Sequence, residues 1–217
     1  MKKLILMTVV AGAFSSVSYA EGFTPKFYGG LEVGYAQNED QTTDLASAMV
    51  DILGGSTVVT QDKYLTEFRI FGGYKVTENI DVEFGYMQSS DNKLGVTGTT
   101  GASLGNSAYT ANFTSVVSGY DYGVLLRPNI SSGLNEYFFK IGGHRYDNKI
   151  SGDFKIATTT LPYDDTTKGS GTLYGVGYDA KLGDDMAARL SLIHYAKISG
   201  ESDNKATIFS VAITKAF

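Results

Sequence analysis

Residues 64–87 read YLTEFRIFGGYKVTENIDVEFGYM, two amphipathic stretches joined by the four residues Val76 to Asn79. In the first, Tyr64, Phe68, Ile70 and Tyr74 share one side, and Glu67, Arg69 and Gly73 share the other. In the second, Ile80, Val82, Phe84 and Tyr86 oppose Asp81, Glu83, Gly85 and Met87. A side-chain period of two belongs to a β-strand, and the short link makes an antiparallel hairpin. The polar face carries charges of both signs between glycines, whereas the apolar face carries none.

The same alternation recurs outward from this hairpin, giving eight segments in all. Before it lies Lys26–Asn38, with Phe27, Leu31, Val33 and Tyr35 on one face and Tyr28, Gly30, Glu32, Gly34 and Ala36 on the other. After it come Thr114–Arg127, Glu136–Tyr146, Thr172–Leu182, Met186–Lys197 and Lys205–Phe217. Their polar faces add Asp121, Lys140, Asp179, Lys181 and Arg189. A long series of both signs, interspersed with glycine, suits a packed polar lumen inside a barrel with an apolar wall.

A soluble sandwich also alternates, so the connections decide. Links after the second, fourth and sixth segments are short: Val76 to Asn79, Pro128 to Asn135 and Gly183 to Asp185. Those after the first, third and fifth are long and polar: Glu39 to Lys63, Gln88 to Phe113 and Asp147 to Gly171. Alternating short turns and long loops is the pattern of an up-and-down membrane barrel with both ends of the chain in the periplasm. A Greek-key sandwich has no reason to obey it. The expected fold is an all-β, eight-stranded, antiparallel transmembrane barrel, its three long segments read as extracellular loops and Gly-rich stretches such as Gly95–Gly101 as flexible display.

Residues 1–20 read as a cleavable signal peptide: Lys2 and Lys3, an apolar run from Leu4 to Phe14, then Ser18-Tyr19-Ala20 as a small-x-small cleavage site before Glu21. The apolar run is shorter than the twenty or so residues a spanning helix needs. This leaves 21–217 as a single barrel domain. The sequence has no cysteine, so neither disulfides nor a lipid-bearing Cys are available to it. Loss of Lys2 and Lys3 would move the net charge from −5 to about −7, which argues against nucleic acid as a partner. With Gly 26, Tyr 15, Phe 12 and Pro 3, the composition favours strands and close backbone approaches. Tyr28, Tyr64, Tyr86, Tyr109, Tyr137, Tyr146 and Tyr195 lie near strand ends, where aromatic girdles would place them.

Several motifs together resemble the OmpA/OmpX-like family of eight-stranded, porin-like outer-membrane β-barrels. They are the opening strand Phe27-Tyr28-Gly29-Gly30-Leu31-Glu32-Val33-Gly34-Tyr35, the strand end Phe71-Gly72-Gly73-Tyr74-Lys75-Val76, the strand Gly175-Val176-Gly177-Tyr178 and the terminal Phe217. The resemblance implies residence in the outer membrane of a Gram-negative bacterium. It implies as partners outer-membrane lipid, lipopolysaccharide and the outer-membrane assembly machinery, with Phe217 as the assembly signal. Lys215 departs from the apolar residue usual in that signal.

An eight-stranded lumen holds little besides its own side chains. Glu32, Glu67, Arg69, Glu83, Lys140, Asp179 and Arg189 are therefore expected to form a structural, charge-paired network, because an unpaired charge there is costly. No catalytic, metal or cofactor site is expected. His144 and His194 lack a Ser nucleophile at the required spacing, since Ala196 follows Tyr195 where a deacylase would carry Ser. Two histidines without cysteine make no metal-ligand cluster. The Gly95–Gly101 run is not a phosphate loop, because no helix is expected after it. The expected function is non-enzymatic: display of extracellular loops for surface interaction or adhesion to host or cell-surface ligands, with a contribution to envelope integrity. A lipid-modifying enzyme and a narrow channel are the alternatives.

Overall fold

The computed structural model describes residues 26–37, 42–128, 136–198 and 205–217. The signal segment 1–20 and much of the links Pro128–Asn135 and Ile198–Asn204 lie outside these residues. Eight strands close a ring: β1 (Phe27–Gln37), β3 (Tyr64–Lys75), β4 (Ile80–Ser89), β6 (Ala108–Leu126), β7 (Tyr137–Ile156), β8 (Thr159–Lys181), β9 (Met186–Ala196) and β10 (Lys205–Ala216). Each pairs antiparallel with its neighbours, and β1 pairs with both β3 and β10, so the ring has no seam. The expected barrel is thus the observed one. Closure removes the exposed sheet edges that an open sheet would have to protect.

The alternation sorts side chains as the sequence implied. Leu31, Phe68 and Ile141 point outward and are 67%, 63% and 60% exposed, while Glu32, Arg69 and Lys140 point inward and are 5%, 3% and 4% exposed. Such an inversion, with apolar groups outside and charge inside, is stable only when the surrounding solvent is itself apolar. Among the described residues no helix is long and apolar enough to cross a membrane; strands make the crossing here. Glycines set two close approaches inside the wall. A Cβ on Gly142 would sit 1.9 Å from the Tyr122 carbonyl oxygen, and one on Gly73 would sit 2.1 Å from Tyr28 Cζ, whose ring occupies that gap. The short turns and both ends of the barrel lie together: Arg127 N–H donates to Asn79 O, Ala216 N–H to Asp185 O, and Phe217 N–H to Phe27 O.

The long connections are where expectation fails. They are not flexible loops but an ordered crown. The β7–β8 hairpin continues the barrel strands without interruption to a turn at Ala157 and Thr158, across the span read as a loop from Asp147 to Gly171. The Gly95–Gly101 run forms much of β5 (Asn92–Thr99), which pairs with the upper half of β6 and with β2 (Ser56–Gln61). A helix, α1 (Thr42–Leu53), occupies the first of these connections. Its Leu45, Met49 and Leu53 recur every fourth position and pack with Val59, Val96, Tyr109, Ala111, Phe113, Phe154 and Ile156 on the inner face of the crown sheet. Asp44 stands in the first turn, where the helix dipole favours an acid, and Gly54 at φ +68° ends the helix. The crown therefore has a hydrophobic core of its own.

Candidate functional site

The molecule offers three places where function could reside: the lower lumen, the upper lumen and the crown. In the lower lumen Glu83 is the hub. Its Oε1 accepts from Arg69 Nη2 at 2.9 Å and Lys140 Nζ at 2.8 Å, and its Oε2 accepts from Arg189 Nη1 at 2.6 Å and the Tyr28 hydroxyl at 3.3 Å. Arg69 also donates to Glu32 at 3.1 Å and, through Nε and Nη2, to both oxygens of Asp121 at 2.7 and 2.8 Å. Lys140 bridges to Asp121 at 3.1 Å. Arg189 donates two bonds to Asp179, and Asp179 in turn meets Arg127, which reaches Asp81 at 3.0 Å. The arginines stack on buried rings: Arg69 on Phe71, and Arg189 on Phe138, at 4.7 and 4.8 Å from the ring centres.

Six of the seven residues picked from sequence for the network thus meet in one cluster: Glu32, Arg69, Glu83, Lys140, Asp179 and Arg189. Glu67 does not join them. It faces the lumen one inward position beyond Arg69, and neither carboxylate oxygen has a hydrogen-bond partner. Asp81, Asp121 and Arg127, left out of the seven, belong to the cluster. Their inward parity on β4 and β6 was legible, but which lumenal charges touch depends on strand stagger. The void among Glu32, Arg69, Glu83, Lys140 and Arg189 is about 10 Å³, scarcely room for one water.

The upper lumen is closed by a different chemistry. Ala36, Met87, Tyr146, Leu173, Ile193, Tyr195 and Ile208 form a buried apolar cluster. His144 is stacked on Tyr146 with ring centres 4.7 Å apart, and its Nε2 lies 2.8 Å from the Ala196 carbonyl oxygen. His194 lies on the outer wall, where Nδ1 bonds the Thr207 hydroxyl at 2.9 Å. The girdle assignment of the tyrosines needs correction. Tyr64, Tyr86 and Tyr137 do face outward, but Tyr28, Tyr109, Tyr146 and Tyr195 are buried inside. Their inward strand parity overrides their position near strand ends. Among the described residues no group of three or more potential metal ligands occurs.

The crown presents its outer face to the surroundings. Cross-strand register lines up Val58, Thr97, Thr110, Lys155 and Thr160 in one row, and Thr60, Gly95, Asn112, Asp153 and Pro162 in the next. The face is largely polar, with hydroxyls, an amide and the charges of Lys155 and Asp153, interrupted by the exposed Val58 and by Gly95 and Pro162. Below it the outer wall turns apolar at Tyr86 and Tyr120, whose rings are 5.1 Å apart, so this pair marks the upper rim of the membrane belt.

Solved structures with similar architecture share little sequence. Neisserial surface protein A is 12% identical, with a TM-score of 0.41 over 90% of this chain and 100% of that one. Ail, the attachment invasion locus protein of Yersinia pestis, is 14% identical, with a TM-score of 0.41 over 88% and 98%. The outer membrane protein OprG from Pseudomonas aeruginosa is 12% identical, with a TM-score of 0.42 over 89% and 96%. No curated protein matches the sequence. The model of the outer membrane protein beta-barrel domain matches residues 6–217, and the chain belongs to that family.

Proposed function

We propose that this outer-membrane barrel is a non-enzymatic surface-recognition protein, in which a sealed barrel anchors a rigid crown that contacts cell surfaces or neighbouring lipopolysaccharide. The observation that carries this reading is the crown itself. A five-stranded sheet with its own apolar core and a polar outer face stands beyond the membrane belt. Ordering so much chain outside the membrane costs conformational entropy of about 1–2 kcal/mol per residue. A wall protein needs none of it. A preformed face loses little further freedom on binding, which favours recognition.

The barrel below supports the same reading. Its lower lumen is filled by an ion-pair network and its upper lumen by an apolar plug, both unsuited to solute passage and both suited to a stable wall element that contributes to envelope integrity. His144 spends Nε2 on a backbone carbonyl, stacks on Tyr146 and meets Tyr195 edge-on, an arrangement that fits packing better than proton transfer.

The test is removal of the crown. In the shortened protein, tight turns replace residues 42–62, 91–115 and 149–167. Heat-modifiable gel mobility should show that the barrel still folds. Adhesion of bacteria expressing it to cultured cells should fall to the level of a strain lacking the protein. Adhesion that survives crown removal refutes the proposal. In planar bilayers the intact protein should show no steady open-channel current.

A further inference from the structure

Where β2, β5 and β6 run side by side, the outer face of the crown is dented. The dent has a volume of about 290 Å³ and is lined by triplets from three adjacent strands: residues 60–62, 93–95 and 112–114. Within each triplet the first and third side chains point outward, giving Thr60, Asp62, Lys93, Asn112 and Thr114 as walls. The middle residues Gln61, Leu94 and Phe113 pair in one row and complete the lining, with Phe113 packed against the inner core. At the centre is Gly95, opposite Thr60 on one side and Asn112 on the other, and the dent exists because Gly95 has no side chain. A Cβ there would come within 2.7 Å of the Thr60 hydroxyl oxygen.

We infer that this dent is a saccharide-binding pocket, a reading that rests on the surface-recognition role proposed above and names its site and ligand class. The walls carry hydroxyls, an amide, a carboxylate and an ammonium; Thr60 already donates to Gly95 O and Asp62 accepts from Lys93 N–H, and their remaining lone pairs with Lys93, Asn112 and Thr114 mix donors and acceptors at short spacing. That is the complement of a polyhydroxylated ring, each of whose hydroxyls both donates and accepts. With one acid and one base, the pocket has no net charge to select an anion or a cation. Thr60, Asp62, Lys93, Asn112 and Thr114, the side chains on its outward rows, are all polar, which disfavours an acyl chain or an apolar peptide anchor. Its volume lies at the lower end of the range for small-ligand sites, matching one or two sugar units. Its height agrees: Asp62 stands two residues beyond Tyr64, which stacks on Tyr35 at the rim of the apolar belt. That is the level of the glycolipid sugars of the outer leaflet, and a glycan on an apposed cell would reach the same opening.

The experiment uses the full-length mature protein in lipid nanodiscs, applied to an array with two arms: core oligosaccharide released from the lipopolysaccharide of the producing bacterium, and glycans of animal cell surfaces. Binding is expected in at least one arm, and the arm identifies the source. Gly95→Leu, which fills the dent, should weaken binding about tenfold or more, and Asn112→Ala should weaken it less, as loss of one or two hydrogen bonds implies. Thr160→Leu, elsewhere on the same face, should bind as wild type. Heat-modifiable mobility verifies that each variant folds. Absence of saccharide binding in both arms, or equal binding by wild type and Gly95→Leu, overturns the pocket. Cell adhesion unchanged by Gly95→Leu but lost on crown removal would also overturn it while leaving the surface-recognition reading in place.

Discussion

Replacing Glu83 with Gln changes no heavy-atom count, yet it strikes the point on which the lower lumen converges. The carboxylate takes hydrogen bonds from three cations, Arg69 and Lys140 on one oxygen and Arg189 on the other. An amide keeps only one oxygen. Whichever way it turns, its NH2 faces a cationic donor, at the Arg189 position or at the shared Arg69 and Lys140 position. At least one charged hydrogen bond worth about 1.5–3 kcal/mol is lost. Arg69, Lys140 and Arg189 also lose the one acid they share, and breaking a buried ion pair from one side costs about 3–5 kcal/mol. We expect Glu83→Gln to destabilise the folded barrel by about 4 kcal/mol, close to a thousandfold in the folding equilibrium. Urea unfolding and refolding in phospholipid vesicles would measure it, followed by gel mobility and by tyrosine fluorescence, there being no tryptophan. Adding Lys140→Met removes one of those three cations, and should recover about 0.5–3 kcal/mol as a coupling energy. A loss below about 1 kcal/mol for Glu83→Gln, or strict additivity in the double variant, would refute the reasoning that the network acts as one unit.

Other parts of the structure predict distinct outcomes. Ile141→Lys, in the middle of the outer wall opposite Val124 and Tyr174, should cost about 2–4 kcal/mol in the same vesicle assay, whereas Thr160→Lys on the crown should cost almost nothing. Gly142→Ala should abolish refolding, because its Cβ would meet the Tyr122 carbonyl oxygen at 1.9 Å; Gly183→Ala, with nothing within 4 Å, should refold with wild-type yield. Phe217→Ala should refold in vitro but accumulate less in the outer membrane of cells, since the exposed terminal ring is proposed as an assembly signal rather than a core residue. Mass spectrometry of protein extracted from that membrane should place the mature N-terminus at Glu21.

The barrel was legible because its physics is periodic. In β3 the bounds Tyr64–Lys75 read from alternation are those observed, and the inward parity of Glu32, Arg69, Glu83 and Arg189 followed from the same rule. Partner identity was less legible. Glu67 and Arg69 are neighbours on one face, yet only Arg69 meets opposite charge, at Glu32 and Glu83 on the adjacent strands and Asp121 on the next, and strand stagger decides this. The crown was missed for a different reason. Threonine, serine and glycine point to loops, although Lys149–Ile156 alternates cleanly, with Ile150, Gly152, Phe154 and Ile156 facing inward. Leu45, Met49 and Leu53 likewise carry a helical period of four within a segment otherwise rich in polar residues. Outside the membrane one face of a sheet meets water instead of lipid, so its outward positions lose the aromatic and aliphatic signature that made the barrel strands conspicuous.

Strands β6, β7 and β8 run 19, 20 and 23 residues, from the periplasmic end of the barrel to the tip of the crown. The crown is therefore not tethered to its anchor by a hinge. A pull on the tip would travel down the same chains that cross the membrane and load the β6–β7 ladder in shear, with many hydrogen bonds sharing the force at once. A flexible display loop would extend under the same tension and yield. As a mechanical element the molecule is a post set in a socket, and a load applied at its tip is borne by the barrel that spans the membrane.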